Sequence, residues 1–183
     1  MKIFIDLDDT LCNFTYSLLA VAGKEKEYNN ITGRDFFPVF KDKIEFNQVW
    51  RVFRSIQGNI GIKMSLNATA TIDLFISQGH ELTFITDRDE ELDKVQTLWW
   101  AKLKGWEDIP IIFSHGDKAK YVTKANVDIF IDDNVKHLKA IQAKGVYIIP
   151  YLSPSNKNED LKYRDNWLDV YLDVIRYEGK LNE

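Results

Sequence analysis

Five short apolar runs constrain this chain most: Ile3–Leu7, Leu82–Thr86, Ile109–Phe113, Val127–Ile131 and Val146–Ile149. Each is about five residues long, rich in Ile, Val and Phe, with little polar alternation. That pattern suits strands covered on both faces, as in a parallel sheet between helical layers. Stretches of helical spacing lie between them. Leu66–Ser77 carries Leu66, Ala70, Leu74 and Phe75 and meets Gly79. Glu90–Lys104 begins with acids and ends with Lys102 and Lys104, the charge order a helix dipole favours. Asn134–Lys144 sets Val135, Leu138 and Ile141 on one face and stops at Gly145. Strand and helix in alternation imply right-handed crossovers and an α/β layer fold.

One interval breaks the rhythm. More than seventy residues separate Leu7 from Leu82, far more than a single crossover needs. The helix at 66–77 can serve as the crossover, which leaves 13–63 as an insertion over the strand ends. Phe36, Phe37, Phe40, Phe46, Trp50 and Phe53 supply the core of a small helical cap, and Gly58–Gly61 reads as its flexible return. The expected division is a core of 1–12 and 64–183 with a cap of 13–63. After Pro150 the chain is polar through Lys157, and 161–177 has helical spacing with Trp167, Val170, Tyr171 and Val174 to dock.

With 183 residues and a formal charge of −4, the chain is one domain's worth and acidic. Acidity argues against coating duplex nucleic acid or an anionic membrane, and leaves room for a small phosphorylated substrate held by local cations. No apolar run approaches the ~18 residues of a membrane span. Met1-Lys2 leads directly into Ile3–Asp6, without a signal-peptide pattern, so a cytoplasmic protein is expected. The lone cysteine, Cys12, excludes an internal disulfide and reads as a small buried residue.

The chemistry sits at the strand ends. Asp6-Leu7-Asp8-Asp9-Thr10 follows the first run, and Asp132-Asp133 ends the fourth. In an open parallel sheet the carboxyl ends of the strands bind ligands, so these acids converge. Their mutual repulsion asks for a hard divalent cation with oxygen ligands, most simply Mg²⁺. Thr86 ends the second strand and can donate its hydroxyl to an anionic oxygen; Lys118 can neutralise a phosphate. Carboxylate, metal, hydroxyl and lysine are together the parts of a phosphoryl-transfer site. Against this stands the plain reading that acids at strand ends cap the following helices.

Asp6-x-Asp8-x-Thr10, Thr86, Lys118 and Ile131-Asp132-Asp133, in that order, resemble the haloacid dehalogenase (HAD)-like phosphohydrolases over Lys2 to about Pro150. The cap after the first motif, the Ile-Asp-Asp-Asn form of the last and the chain length look most like the cytosolic-type 5'(3')-deoxyribonucleotidases. The resemblance implies a Rossmann-like parallel sheet flanked by helices, with a small helical cap inserted after the first strand. It implies Asp6 as nucleophile and Asp8 as acid and base. Asp6, the Asp8 carbonyl and Asp133 would hold Mg²⁺, Thr86 and Lys118 would bind phosphoryl oxygens, and Thr10 and Asp132 would support. Which of Asp132 and Asp133 touches metal stays open, as does Lys118 against Lys120, because the lysine stands farther from the final acids than in that family.

The implied substrate is a small phosphate ester, a (deoxy)nucleoside monophosphate first. A sugar phosphate, a polynucleotide 3'-phosphate or a catalytically quiet binding protein are the alternatives. Phe14, Trp50 and Arg88 are candidates to touch the substrate, although aromatics at helical spacing usually pack and Arg88 can pair with its neighbours. His80, His115 and His137 lack metal-ligand spacing.

Overall fold

The computed structural model describes residues 1–32, 37–55 and 58–181. Five strands, β1 (Lys2–Asp6), β2 (Glu81–Thr86), β3 (Ile111–Phe113), β4 (Ile129–Asp132) and β5 (Tyr147–Pro150), form one parallel sheet in the order β3-β2-β1-β4-β5. The helices are α1 (Phe14–Val21), α2 (Lys43–Ser55), α3 (Ala68–Ser77), α4 (Glu90–Leu103), α5 (Val135–Gln142) and α6 (Trp167–Leu181). The chain leaves β1 toward β2 on one side and returns to β4 on the other, which opens a crevice at the carboxyl ends of β1 and β4.

The unbroken apolar runs are explained by burial on both faces. Ile3, Ile5, Phe84, Ile129 and Ile131 face a layer containing Ile72 and Phe75 of α3, Trp100 of α4 and Trp167, Val170 and Val174 of α6. Phe4, Ile85 and Phe130 face the other way, against Val122 and against Leu138 and Ile141 of α5. Successive residues of each strand thus serve opposite layers. Trp99 and Trp100 diverge as neighbours on a helix must: Trp100 is buried, and Trp99 is exposed beneath Lys102.

Some elements depart from the sequence expectation, among them β3, α3 and α6. Strand β3 starts at Ile111 rather than Ile109, because Pro110 has no amide to donate and contributes only its carbonyl, to Phe84. In α3 the buried face is Ala68, Thr71, Ile72 and Phe75, while Leu66, Ala70 and Leu74 are exposed. That helix is rotated relative to the expected stripe, because Ile72 and Phe75 are the residues that reach the sheet. Helix α6 begins at Trp167, not at 161. The Arg164 amide donates to the Pro150 carbonyl and its carbonyl accepts from Leu152, which keeps 164 extended beside β5. Asn166 then takes the Leu168 amide on its side chain and starts the helix.

The described residues of 13–63 form α1, α2 and two 3-10 turns, Glu25–Asn30 and Phe37–Val39. Phe14, Trp50 and Phe53 meet ring to ring, as do Phe40 and Phe46. Phe36 lies outside the described residues. The return at Gly58 is a tightly packed turn rather than a loose tether. Its amide donates to the Phe53 carbonyl, and a Cβ there would sit 2.5 Å from the Phe53 ring. Arg54 and Asn59 both bond Asp93 of α4, tying this segment to the sheet layer beside the crevice. Among the described residues, no helix is long and apolar enough to cross a membrane.

Candidate active site

Strand β1 runs beside β4 with Ile5 opposite Ile131, so Asp6 and Asp132 end their strands side by side. Carboxylate oxygens of Asp6, Asp132 and Asp133 come within 4.8 Å of one another, and all three residues are buried. The Lys118 ammonium lies between two of them, donating to Asp6 at 2.5 Å and Asp132 at 2.8 Å. Lys118 opens a short 3-10 turn, Lys118–Lys120, and is itself buried. Lys120 is exposed and reaches Asp117 instead, so the structure brings Lys118 to the acids and leaves Lys120 outside.

Burial raises the Asp6 carboxyl well above the usual carboxylate range, and the charges of Asp132 and Asp133 add to this against the pull of Lys118. Burial alone would lower the Lys118 ammonium. The two carboxylates outweigh it and hold the lysine protonated far above neutrality. Asp132 accepts Lys118 on one oxygen and the Asn134 amide on the other, at 2.6 Å. Asp133 accepts from the hydroxyls of Ser153 at 2.8 Å and Ser155 at 3.1 Å. Three hard oxygen donors, buried and charged in excess of their one lysine, fit a divalent cation such as Mg²⁺.

A cavity of about 210 Å³ opens over this cluster, lined in part by Asp6, Asp8, Phe14, Thr86, Lys118 and Asp133. Thr86 is fully buried at the end of β2 and accepts the Arg88 amide on its hydroxyl oxygen. The Thr10 hydroxyl donates to Asp6 at 3.3 Å.

Solved structures of similar shape span nearly the whole chain. A haloacid dehalogenase-like family hydrolase from Streptococcus pneumoniae matches with a TM-score of 0.58 at 14% identity, covering 96% of this chain and 97% of its own. A predicted phosphatase from Clostridium acetobutylicum gives 0.63 at 15%, covering 96% and 98%. A protein from Bacillus subtilis named as a HAD-hydrolase and bound to magnesium gives 0.59 at 13%, covering 95% and 98%. The chain has the HAD-like fold. At such identities the likeness concerns the fold alone. No protein-family model matches the sequence, and neither does any curated protein.

Within this HAD-like core, Asp8 and Arg88 form a feature that the sequence did not disclose. The Arg88 guanidinium grips Asp8 through Nε at 2.9 Å and Nη2 at 2.6 Å, donates to Thr97 and reaches the Cys12 sulfur. Arg88 is buried and each of its three guanidinium nitrogens is engaged, with Asp8 its charged partner. Phe14 lies at the junction of two cavities. The second, of about 280 Å³, is lined by Trp50, Phe53, Arg54 and Asp89 together with Asp8 and Arg88. Trp50 also stacks on Phe46 and Phe53, so its ring packs within segment 13–63 as well as lining that cavity.

Three groups went unassigned from sequence. Asp9 has φ +59°, a left-handed conformation that Asp tolerates better than most residues. Its carboxylate accepts the Thr15 amide at 2.8 Å and the Thr15 hydroxyl, and so holds the start of α1 where Asn13 makes no capping bond. Burial, with Asp133 nearby, raises the Asp9 carboxyl to about 7. Asp87 accepts from Ser114, Gly116 and His137. Burial would raise it, but those bonds from His137 and Ser114 and the charge of Lys118 keep it well below the usual range. The Ser153–Asn156 turn cradles Asp133, with Asn156 donating to its carbonyl at 2.8 Å. Only the Asp9 position beside the first motif carried a sequence signal; the other groups are joined by chain reversal. His80 is buried against Phe75, His115 is exposed, and the buried Cys12 thiol donates to the Leu7 carbonyl.

Proposed function

We propose that this protein is a Mg²⁺-dependent phosphomonoesterase that hydrolyses (deoxy)nucleoside monophosphates to nucleoside and phosphate. The observation that carries the reading is the buried Asp6–Lys118–Asp132–Asp133 cluster beneath an open cavity at the ends of β1 and β4. Asp6 is the nucleophile: its carboxylate oxygen attacks phosphorus, the ester oxygen leaves, and an aspartyl-phosphate forms. Asp8 in its protonated form gives the leaving alkoxide a proton and becomes the carboxylate that Arg88 holds, then takes a proton from the water that attacks phosphorus and frees Asp6. Thr86 and Lys118 hold the phosphoryl oxygens, Lys118 by charge and Thr86 by its hydroxyl.

Asp6, the Asp8 carbonyl and Asp133 would hold the metal, with Asp132 supporting through Lys118 and the Asn134 amide. When bound, Mg²⁺ supplies charge stabilisation to the transferring phosphoryl group. Arg88 fixes Asp8, Thr10 orients Asp6, and segment 13–63 acts as the cap. The aromatic cavity beyond Phe14 supports a nucleoside leaving group, because it continues from Asp8 and offers ring faces with polar groups at its margin.

The test is phosphate release from a panel of 5'- and 3'-(deoxy)nucleoside monophosphates and sugar phosphates, with Mg²⁺ or EDTA, for the native protein and Asp6→Asn. The reading expects metal-dependent turnover of nucleotides that the substitution abolishes. Turnover of sugar phosphates alone would overturn the substrate class. Turnover that survives Asp6→Asn would overturn the mechanism.

A further inference from the structure

The two helical layers differ in what they show to solvent. Helix α5 buries Leu138 and Ile141 and exposes no large apolar side chain. Helix α4 instead leaves Leu92, Val95, Leu98, Trp99 and Leu103 exposed by 58%, 69%, 47%, 53% and 65%. Leu92, Val95, Trp99 and Leu103 are spaced three, four and four residues apart, so they form one stripe along the helix, with Leu98 at its margin. Thr97, Trp100 and Ala101 fill the opposite, inward face. Five such side chains leave on the order of 500 Å² of contiguous apolar surface, at the upper end of what a soluble monomer carries without using it.

The charges bordering the stripe are ordered. Glu91 stands in the first turn and Lys102 in the last, and both lie on the outward side. Among the described residues neither has an ion-pair partner within the chain, whereas the neighbouring Glu90 and Asp93 are engaged by Lys94 and Arg54. Glu91 and Lys102 are equally distant from the point midway between Gln96 and Thr97, as are Val95 and Leu98. A two-fold axis passing in front of the stripe, level with that point, sets one α4 antiparallel to another. It lays stripe on stripe and brings each Glu91 to the Lys102 of the other copy, while the two helix dipoles oppose. A parallel arrangement would set like charges together at both ends.

We propose that the α4 face is a self-association surface and that its occupant is the α4 of a second copy, packed antiparallel. The stripe covers less than the ~800 Å² per partner of a standard interface. The dimer is therefore reversible, seen at micromolar concentrations and lost on dilution. None of the stripe's five apolar residues lines the acidic cluster's cavity, so this inference stands apart from the proposed activity.

Sedimentation equilibrium of the full chain over roughly 1–200 µM tests it. The native protein is expected to dimerise and Trp99→Glu to remain monomeric, with unchanged circular dichroism. Glu91→Lys and Lys102→Glu each set like charges together twice in the dimer, and each is expected to raise the dissociation constant at least about ten-fold. The Glu91→Lys/Lys102→Glu double variant restores the pairing with signs exchanged and is expected within about three-fold of native. A native chain monomeric throughout the range overturns the proposal, as does a double variant no tighter than the singles.

Discussion

Replacing Arg88 by Met should cost stability by an amount the structure allows to be worked out. Arg88 is almost wholly buried, while the Asp8 side chain keeps a quarter of its surface exposed. Breaking a fully buried ion pair by removing one partner costs about 3–5 kcal/mol, because the remaining charge is stranded. Water can reach the exposed quarter of Asp8, which brings the expectation down to about 2–3 kcal/mol. The Thr97 hydroxyl adds little, since it keeps its bond to the Asp93 carbonyl at 2.9 Å. For a chain of this size each kcal/mol moves the melting temperature by about 2–4 °C, so a fall of roughly 5–10 °C is expected by calorimetry. Arg88→Lys should recover only part of it, because an ammonium cannot reproduce the two-pronged contact. In an Asp8→Asn background the same Arg88→Met change should cost at least about 1 kcal/mol less. Melting within about 1 °C of native, or strict additivity in the double variant, would refute the argument that Arg88 exists to hold Asp8.

Other outcomes follow from the same geometry. Lys118→Met should lower phosphate release by roughly 100–1000-fold while Lys120→Met stays within about two-fold, measured as kcat/KM on the best panel substrate. Gly58→Ala drives a methyl into the buried Phe53 ring and should cost about 1–3 kcal/mol in urea unfolding. Burial, with the nearby amino terminus, lowers the His80 imidazole. The unfolded chain therefore takes up a proton before the folded one, and stability should fall as pH drops from the ordinary imidazole value toward the folded one. His80→Gln should shrink that loss between pH 7 and pH 5 in thermal melts.

The strands were legible because burial on both faces demands unbroken β-branched runs, and the acids were legible because parallel strands carry their ends to one edge. Lys118 could be nominated but not separated from Lys120, since two residues of spacing in a loop do not say which ammonium turns inward. Arg88 gripping Asp8 joins positions eighty residues apart, and Ser153 reaching Asp133 joins a tail to a strand end. Pairings of that kind depend on how the chain doubles back and leave no local pattern. The α3 face differs from the sequence expectation for a related reason: a short crossover with small residues fits more than one rotation, and the sheet selects it. The starts of α4 and α5 fall within one residue of the expected ones, where Asp89 and Asn134 cap the helices locally.

The account rests most on Asp6 as the atom that receives the phosphoryl group. Rapid acid quench during turnover of a radiolabelled nucleoside monophosphate with Mg²⁺, followed by peptide mapping, examines it directly. The account predicts label on the peptide that contains Asp6, chased off by unlabelled substrate and missing from Asp6→Asn. Active turnover with no label on that peptide, or label carried elsewhere, would contradict it.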